Sequence, residues 1–481
     1  MSSALPFELP PRQFIAGTWR DGRGDHPLAV TDPASAEVLA RYPAASRADI
    51  GEALAAAADG ARAWGALPAL ERCAVLRRGA EALRARAGTL APLLVREQGK
   101  PLAEAGREIE QAAQMIEWYA EEGRRCYGQT IPSRFAGTRF HTLRLPIGPV
   151  AAFTPWNFPV MLSAIKLGAA LAAGCPVILK PAEETPLAVA GLVRCLAESG
   201  VPGTALQLLL GEPAEISSTL IASPVIRKVS FTGSQGVGRL IAEQAGRHLK
   251  PVTLELGGHA PAIVCEDADP RAAVQALAQI KLRNAGQICA NPSRFLVHRR
   301  HQAAFVDAFA EVALATRVGP GLDAGTTMGP LASRRRLDAV AALVDDARDL
   351  GAQIVCGGHP LPGPGFFYPP TVLDAVPRTA RVMHEEPFGP LVPVAGFDTL
   401  DEAIALANAL PVGLAAFGFT HDLRTARRLA EEVNAGAVAL NTVTLMQPET
   451  PFGGVLDSGL GRENGPQGID AYLSTRSVAT A

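Results

Sequence analysis

The middle of the chain alternates between short apolar runs and longer stretches with apolar residues at helical spacing. Helices are predicted over 160–173, 186–199, 213–222 and 235–247, and the first two end at Gly174 and Gly200. Strands are predicted over 150–153, 177–179, 206–210, 225–231 and 252–256. Continuous apolar strands that alternate with helices are typical of a parallel sheet covered on both faces. The pattern therefore predicts an α/β domain, which binds ligands at the carboxyl ends of its strands.

The first third of the chain has a different pattern. Residues 1–45 are rich in Pro, Gly and turn residues, which predicts short strands. A helix is expected after Ser46, whose hydroxyl can cap it, because the following apolar residues form a one-sided stripe. Two further helices are predicted over 70–97 and 102–125, with Gly99 between them. We expect these helices to pack against a larger unit.

A second alternating stretch runs from Ala260 to about Asn441. Its predicted helices lie near 270–285, 302–316, 334–350, 401–409 and 422–433. This stretch predicts a second α/β domain with a boundary near the Gly257-Gly258 pair. The tail from Pro451 is Gly-rich and then extended over 471–479, which suits an arm that pairs with another subunit.

Composition and charge exclude several classes of protein. Of the 481 residues, 48% are hydrophobic and 19% are charged, which allows a large core and excludes a globally disordered chain. The net charge of −2 leaves no basic stripe for nucleic acid. The seven cysteines are odd in number and have no CxxC spacing, which favours a reducing compartment. Polar residues and Pro155 interrupt the most apolar region, 148–179, so no membrane span is expected.

Cys289 and Glu255 have the chemistry of a nucleophile and a base. Most free cysteines are small buried apolar residues, but Cys289 follows a predicted helix and is flanked by Gly286 and small polar residues. Glu255 interrupts the apolar strand 252–256 at the carboxyl edge of a parallel sheet. A carboxylate buried there would have a raised pKa, which suits the activation of water.

Three turns that follow predicted strands contain polar groups suited to a nucleotide or an oxyanion. The segment 231–238 (FTGSQGVG) lacks GxGxxG spacing, yet its Gly-Ser turn at a helix start can present N–H groups to a pyrophosphate. Lys180 and Glu183 are either a solvated turn or a ribose site, where the carboxylate would repel a 2′-phosphate. Asn157 lies in a Pro-rich turn, and its amide N–H can stabilise an oxyanion.

Taken together, these motifs resemble the NAD(P)-dependent aldehyde dehydrogenase superfamily over nearly the whole chain. The matching segments are PWNFP (155–159), KPAEETP (180–186), FTGSQGVG (231–238), LELGG (254–258), GQIC (286–289), EEPFGP (385–390) and PFGGVLDSGLGRE (451–463). The resemblance implies Cys289 as nucleophile, Glu255 as general base and Asn157 as oxyanion donor. The cofactor-binding residues that it implies are Thr154, Trp156, Lys180, Glu183, Gly233, Ser234, Glu386 and Phe388.

The implied reaction has three steps. The Cys289 thiolate adds to the aldehyde, and the Asn157 amide with the Cys289 backbone N–H holds the oxyanion. Loss of hydride to the nicotinamide leaves a thioester, and Glu255 then activates the water that releases the acid. A CoA-acylating enzyme is disfavoured because Glu255 is present. A non-catalytic structural homologue is disfavoured because Cys289, Glu255 and Asn157 are all intact.

Two classes of aldehyde remain open as substrate. The segments 123–129 and 254–269 resemble succinate-semialdehyde and 2-oxoglutarate-semialdehyde dehydrogenases, in which the position of Arg283 holds the substrate carboxylate. Three other predicted pocket residues are apolar: Leu162, Ile165 where that subfamily has a second Arg, and Met446 where it often has Ser. Succinate semialdehyde or a related semialdehyde is therefore the first candidate, and a longer alkyl or aromatic aldehyde is the alternative.

The expected architecture is two parallel-sheet α/β domains and a small β arm for oligomerisation. The cofactor-binding domain comprises residues 1–125 and 146–256, the catalytic domain 257–445, and the arm 126–145 and 464–481. We expect NAD as cofactor because of Glu183, with NADP as the alternative, in a homodimer or homotetramer. His298 and His301 lack a Cys or acid at zinc-ligand spacing, so no metal is expected. No signal-peptide pattern occurs at the N-terminus, which together with the cysteines predicts a cytoplasmic protein.

Overall fold

The computed structural model describes residues 12–481, so part of the strand prediction for 1–45, and the N-terminal signal-peptide prediction, lie outside the described residues. The α-helices of this part of the chain are α1 (Arg47–Ala66), α2 (Ala69–Ala85), α3 (Ala87–Gln98), α4 (Leu102–Glu122), α5 (Pro159–Ala173), α6 (Pro186–Glu198), α7 (Pro213–Ala222), α8 (Gln235–Arg247), α9 (Pro270–Lys281), α10 (Arg299–Ala315), α11 (Arg334–Asp349), α12 (Leu400–Ala407), α13 (Leu423–Glu432) and α14 (Gly465–Asp470).

The strands of residues 12–481 belong to two large sheets and three small ones. They are β1 (Gln13–Ile15), β2 (Thr18–Arg20), β3 (Pro27–Thr31), β4 (Val38–Pro43), β5 (Thr130–Ile131), β6 (Arg139–Pro146), β7 (Val150–Thr154), β8 (Val177–Pro181), β9 (Leu206–Leu208), β10 (Lys228–Gly233), β11 (Val252–Leu256), β12 (Ala260–Val264), β13 (Pro292–His298), β14 (Gln353–Cys356), β15 (Thr371–Asp374), β16 (Leu391–Phe397), β17 (Val412–Gly413), β18 (Ala415–Phe419), β19 (Ala437–Leu440), β20 (Val455–Leu456), β21 (Gly459–Leu460) and β22 (Leu473–Thr480).

The first large sheet has eight strands in the order β2-β1-β9-β8-β7-β10-β11-β21. Its five inner strands, from β9 to β11, are parallel, as the alternating pattern predicts. Helix α5 is buried on every side because the sheet covers one face and α4 packs on another. Because β7, β8, β10 and β11 are parallel, their carboxyl ends lie together at one edge of this sheet.

The second large sheet has seven strands in the order β14-β15-β16-β13-β12-β18-β19. All of its neighbouring pairs are parallel except β14 with β15. Two separate apolar clusters cover the two faces of the sheet. The prediction of two parallel-sheet α/β units is therefore confirmed.

The chain ends in a three-stranded antiparallel sheet with the order β22-β6-β5. The predicted extended tail is β22, and all eight of its residues are in register with β6 of the same chain, from Leu473 opposite Pro146 to Thr480 opposite Arg139. The outer edge of β22 has no partner strand within residues 12–481. This edge is the part of the arm that another chain could extend.

The first helical region differs in detail from its prediction. Ser46 caps α1 through a capping box with Asp49, as expected. The single helix predicted over 70–97 is wrong, because the chain leaves the helical conformation at Arg86 and forms α2 and α3. The Arg86 N–H donates to the Leu83 carbonyl oxygen at 3.2 Å, three residues back, so α2 ends there and α3 begins at Ala87. Helix α4 ends at Glu122 and one 3₁₀ turn follows it.

None of the helices within residues 12–481 combines the length and the apolar run that crossing a bilayer requires.

Candidate active site

A cavity of about 510 Å³ lies beside the carboxyl edge of the first sheet. It brings together seven of the residues singled out in the sequence: Cys289, Glu255, Asn157, Arg283, Leu162, Ile165 and Met446. Other lining residues come from α4, α9 and the loop 443–446. The cavity thus joins candidate reactive groups to candidate binding groups in one enclosed space.

Cys289 follows a turn whose backbone is held in an unusual conformation. Asn284 and Ala285 have φ of 50° and 51°, a left-handed conformation that costs free energy for residues with a Cβ. Gly286 continues it with φ of 77°. Burial, followed by the negative charges of Glu386 and Glu255, raises the pKa of the Cys289 thiol to about 12. The thiol is therefore protonated at neutral pH in the free chain and must lose its proton before it can attack.

Glu255 lies on β11, opposite Thr232 of β10 and Gly459 of β21. Both carboxylate oxygens are buried and have no hydrogen-bond partner within residues 12–481. Burial, and then the charge of Glu463, raise the pKa of Glu255 well above its usual range, the direction expected from the sequence. A carboxylate with a raised pKa and free lone pairs can take a proton from water.

Asn157 is fixed by hydrogen bonds to the loop that carries Cys289. Its Nδ2 donates to the Gln287 carbonyl oxygen at 3.0 Å, which leaves its second N–H free. The backbone carbonyl oxygen of Asn157 accepts hydrogen bonds from Lys100 Nζ at 2.7 Å and from Asn284 Nδ2 at 2.9 Å. The amide therefore keeps a constant position relative to the nucleophile loop.

Behind Asn157 is a buried polar network that the sequence interpretation did not detect. The Lys100 ammonium and the Glu108 carboxylate form an ion pair of 2.5 Å with no side-chain exposure. The second oxygen of Glu108 accepts the N–H groups of Val160 and Met161 at the start of α5. The Glu104 carboxylate likewise accepts the Asn284 N–H at 2.9 Å. The sequence did contain a signal for this network, since Glu104 and Glu108 are four residues apart on the otherwise apolar face of α4.

A second undetected group lies behind Glu255. Lys166 Nζ contacts Glu463 Oε1 at 2.6 Å and Ser230 Oγ at 3.1 Å, and all three side chains are buried. Glu463 also lines the cavity. Its negative charge is one reason that the proton of Glu255 is held tightly.

At the substrate end, Arg283 faces a cavity with mostly apolar walls. Its Nη2 donates to Gln111 Oε1 at 3.1 Å, and its guanidinium carbon lies 5.1 Å from the centre of the Phe158 ring. Its Nε is buried and has no hydrogen-bond partner within residues 12–481. Leu162 and Ile165 are buried, and Met446 is half-buried. The Nε–H of Arg283 is thus an unsatisfied donor in a cavity that also has the apolar surface of Leu162, Ile165 and Met446.

The residues implied for the adenosine and pyrophosphate lie at the carboxyl ends of the first sheet. Lys180 ends β8, and its Nζ contacts Glu183 Oε2 at 2.7 Å, so the two groups can share a ribose. Gly233 ends β10, and Ser234 precedes α8 without a side-chain cap. The first N–H groups of α8 are therefore available to phosphate oxygens. Thr154 ends β7, but its hydroxyl already contacts Ser163 Oγ at 3.0 Å.

The residues implied for the nicotinamide ribose also fit a bound dinucleotide. Glu386 is buried with one orphaned oxygen, and burial raises its pKa to about 8. Its carboxylate lies against Gly257, where any side chain would collide with it. Phe388 has a left-handed φ of 43°, and its ring meets Trp156 edge-on at 5.5 Å. An unsatisfied carboxylate beside a bare backbone is the arrangement that a ribose hydroxyl can complete.

A thiol that can add to a carbonyl carbon, with a nearby carboxylate that can activate water, suits the covalent oxidation of an aldehyde to an acid. The fold and the cavity thus suit a dehydrogenase that acts on aldehydes. Comparison with known proteins identifies the family. The chain belongs to the aldehyde dehydrogenase family, whose model matches residues 19–478, and this family uses NAD(P).

Similar proteins cover nearly the whole chain. The 4-(hydroxymethyl)benzenesulfonate dehydrogenase TsaD1 of Comamonas testosteroni is 50% identical over 466 residues, 97% of each chain. The succinate-semialdehyde dehydrogenase [NADP(+)] GabD of Escherichia coli is 40% identical over 463 residues, 96% of each chain. The crystal structure of succinate-semialdehyde dehydrogenase from Burkholderia pseudomallei has a TM-score of 0.97 at 41% identity and covers 100% of both chains.

Proposed function

We propose that the protein oxidises an aldehyde that carries an anionic group at its far end, and releases the carboxylic acid by hydrolysis. One observation carries this proposal. The same cavity contains Cys289, Asn157 and Glu255 together with a buried, unsatisfied N–H of Arg283. A carboxylate or a sulfonate can accept that hydrogen bond, and guanidinium pairs well with both planar and multi-oxygen anions.

Each proposed step is assigned to residues of this chain. The Cys289 thiol loses its proton to solvent, the thiolate attacks the carbonyl carbon, and the free N–H of Asn157 donates to the resulting oxyanion. A bound nicotinamide would accept the hydride that leaves this carbon, held at its ribose by Glu386. Glu255 takes a proton from water, which attacks the thioester and releases the acid. Glu255 must then return that proton to solvent before the next turnover.

An aromatic body is the better candidate for this aldehyde. A cavity of about 510 Å³ with mostly apolar walls is in the size range of sites for drug-sized ligands, whereas a semialdehyde has only a short methylene chain. Two relatives that are 50% identical are named for 4-(hydroxymethyl)benzenesulfonate, in which a sulfonate lies opposite a hydroxymethyl group. Since a thiol adds to a carbonyl and not to an alcohol, the matching substrate is 4-formylbenzenesulfonate.

Succinate semialdehyde is the second candidate. Relatives named for succinate and glutarate semialdehydes are 40–41% identical to this chain. Arg283 would hold the carboxylate of either compound. Against them, Ile165 and Met446 provide apolar surface that a short polar substrate leaves uncovered.

The cofactor, the domain roles and the assembly belong to the same proposal. Glu183 favours NAD over NADP, although GabD of Escherichia coli is named for NADP(+). Residues 1–125 and 146–256 would bind the cofactor, and residues 257–445 would carry the nucleophile. The arm of residues 126–145 and 464–481 would join two or four copies. The seven free cysteines suit the cytoplasm, which is reducing.

The test is a panel of aldehydes assayed for NADH or NADPH formation at equal concentrations of NAD and NADP. The panel contains 4-formylbenzenesulfonate, 4-formylbenzoate, benzaldehyde, succinate semialdehyde and hexanal. The highest kcat/KM is expected for the two anionic benzaldehydes with NAD, and Cys289→Ala should abolish it. A preference for benzaldehyde or hexanal over every anionic aldehyde would contradict the anion-binding role. A preference for succinate semialdehyde would make the second candidate correct.

A further inference from the structure

We infer that Arg107 determines substrate specificity: with Arg283 and Gln111 it forms a two-arginine site for the anionic group of the aldehyde. This inference rests on the proposed function. It goes further because Arg107 comes from α4 and not from the position on α5 where a second arginine was expected. That position is Ile165, which is buried and contributes only apolar surface.

The position of Arg107 follows from the geometry of α4. Arg107 and Gln111 are four residues apart and therefore lie on the same face of the helix. Both line the cavity, and Gln111 Oε1 accepts the hydrogen bond from Arg283 Nη2. Gln279 of α9 lines the same region. Two guanidinium groups and two amides thus surround one end of the cavity, while Glu255 and Cys289 line another part.

The two guanidinium groups at this end are not in direct contact with a carboxylate of the described part of the chain. Neither Arg107 nor Arg283 forms a salt bridge within residues 12–481. The two nearest acidic groups are already occupied: Glu104 accepts the Asn284 N–H, and Glu108 is paired with Lys100 and the start of α5. Burial lowers the pKa of Arg283, the negative charge of Glu104 opposes this shift, and the like charge of Arg107 adds to it. Two close cations without a carboxylate partner attract an anion from solution.

The number of donors indicates the chemical class of this anion. The Nε of Arg283 and the guanidinium of Arg107 approach from two elements, so an anion with several outward oxygen atoms can bind both at once. An aryl sulfonate and an aryl carboxylate share this chemistry. A sulfonate has three oxygens for the two arginines and a nearby amide, whereas a carboxylate has two.

The experiment compares Arg107→Gln with the wild type on 4-formylbenzenesulfonate, 4-formylbenzoate and benzaldehyde. The ratio of kcat/KM for each anionic aldehyde to that for benzaldehyde should fall roughly tenfold, mainly through KM. Arg107→Lys should restore part of the ratio, because the charge remains. Raising the salt concentration should reduce the wild-type ratio and leave that of Arg107→Gln nearly constant. A larger loss for the sulfonate than for the carboxylate would identify the sulfonate as the preferred anion.

Two controls separate this inference from the proposed function. Arg62→Gln replaces an exposed arginine of α1 that does not line the cavity, so it should keep the wild-type ratio. Inhibition by benzenesulfonate measures anion binding without turnover, and Arg107→Gln should weaken it by a similar factor. If the wild type shows no preference for anionic aldehydes, the proposed function fails. If that preference exists but Arg107→Gln leaves the ratio and the inhibition unchanged, only the role of Arg107 is wrong.

Discussion

At the scale of single residues, Glu255 separates the two halves of the reaction. Glu255→Gln should leave attack by Cys289 and loss of hydride intact, because in the proposed mechanism the thiol proton goes to solvent and loss of hydride needs no base. Hydrolysis of the thioester should slow by roughly 100-fold or more, the usual contribution of a positioned general base. Rapid mixing should therefore show a burst of NADH equivalent to the enzyme, followed by a slow steady rate.

The pH dependence of that steady rate tests the same residue. Only the ionised carboxylate can accept a proton, and the pKa of Glu255 is raised by burial. The wild-type rate of hydrolysis should therefore increase with pH and reach its plateau well above the usual pKa of a glutamate. Glu255→Gln should lose this dependence. An unchanged steady rate in the variant would exclude Glu255 as the base.

Sequence alone could select three residues that the structure brings together in one cavity, but not their surroundings. Cys289, Glu255 and Asn157 are in short motifs with a distinctive order, so a resemblance was enough to select them. Lys100, Glu104 and Glu108 are ordinary helix residues in composition, and their importance depends on contacts between elements distant in sequence. Arg107 could not be selected from the sequence for the same reason, because its relevance follows only from the face of α4 that lines the cavity.

At the scale of elements, the buried pair Lys100–Glu108 connects α4 to the oxyanion site. Glu108→Gln keeps an oxygen for the N–H groups at the start of α5 but removes the charge that holds Lys100. Lys100 should then hold the Asn157 carbonyl less firmly, so kcat should fall about tenfold with little change in KM. Steady-state kinetics with benzaldehyde measure both constants.

The control for this variant is Glu110→Gln on the same helix. Glu110 pairs with Arg84 at the surface, so its replacement should leave kcat near the wild-type value. Thermal unfolding of both variants shows whether they fold. A change in KM alone, or equal losses of kcat in the two variants, would contradict a positioning role for Glu108.

The elements themselves were predicted well where one apolar pattern determines them. Helices α7 and α8 and strand β11 have the predicted bounds, because a proline or a glycine lies at or next to an end of each. The break at Arg86 was missed since its neighbours on both sides have helical propensity. The short strand β21 was also missed, because two residues cannot show a period and its pairing with β11 is set by the tertiary fold.

At the scale of the whole molecule, the arm presents apolar side chains to solvent. Tyr127 and Phe135 are 74% and 68% exposed, and Ile131 and Leu143 are also exposed. Exposed apolar groups beside an unpaired strand edge are typical of a subunit interface. The double variant Phe135→Asp/Leu143→Asp should therefore dissociate the proposed homodimer or homotetramer into single chains.

Light scattering coupled to size-exclusion chromatography measures this change in mass. Leu314→Asp is the matched control, since Leu314 is at least as exposed as Phe135 and Leu143 but is on α10, outside the arm. Its mass should equal that of the wild type. Full-sized oligomers of the double variant would show that the arm is not the interface.

The loop 443–446 has a consequence for how new enzymes can arise from this one. Its four consecutive residues, Val443 to Met446, all line the cavity, and none of them belongs to a helix or a strand. The reactive residues are on other segments, so insertions or exchanges in this loop can reshape the cavity while the chemistry stays intact. Gene libraries that vary these four codons together would explore new substrates at little cost to folding. Natural divergence can follow the same route, in which the product of a duplicated gene acquires a new substrate specificity before its reaction changes.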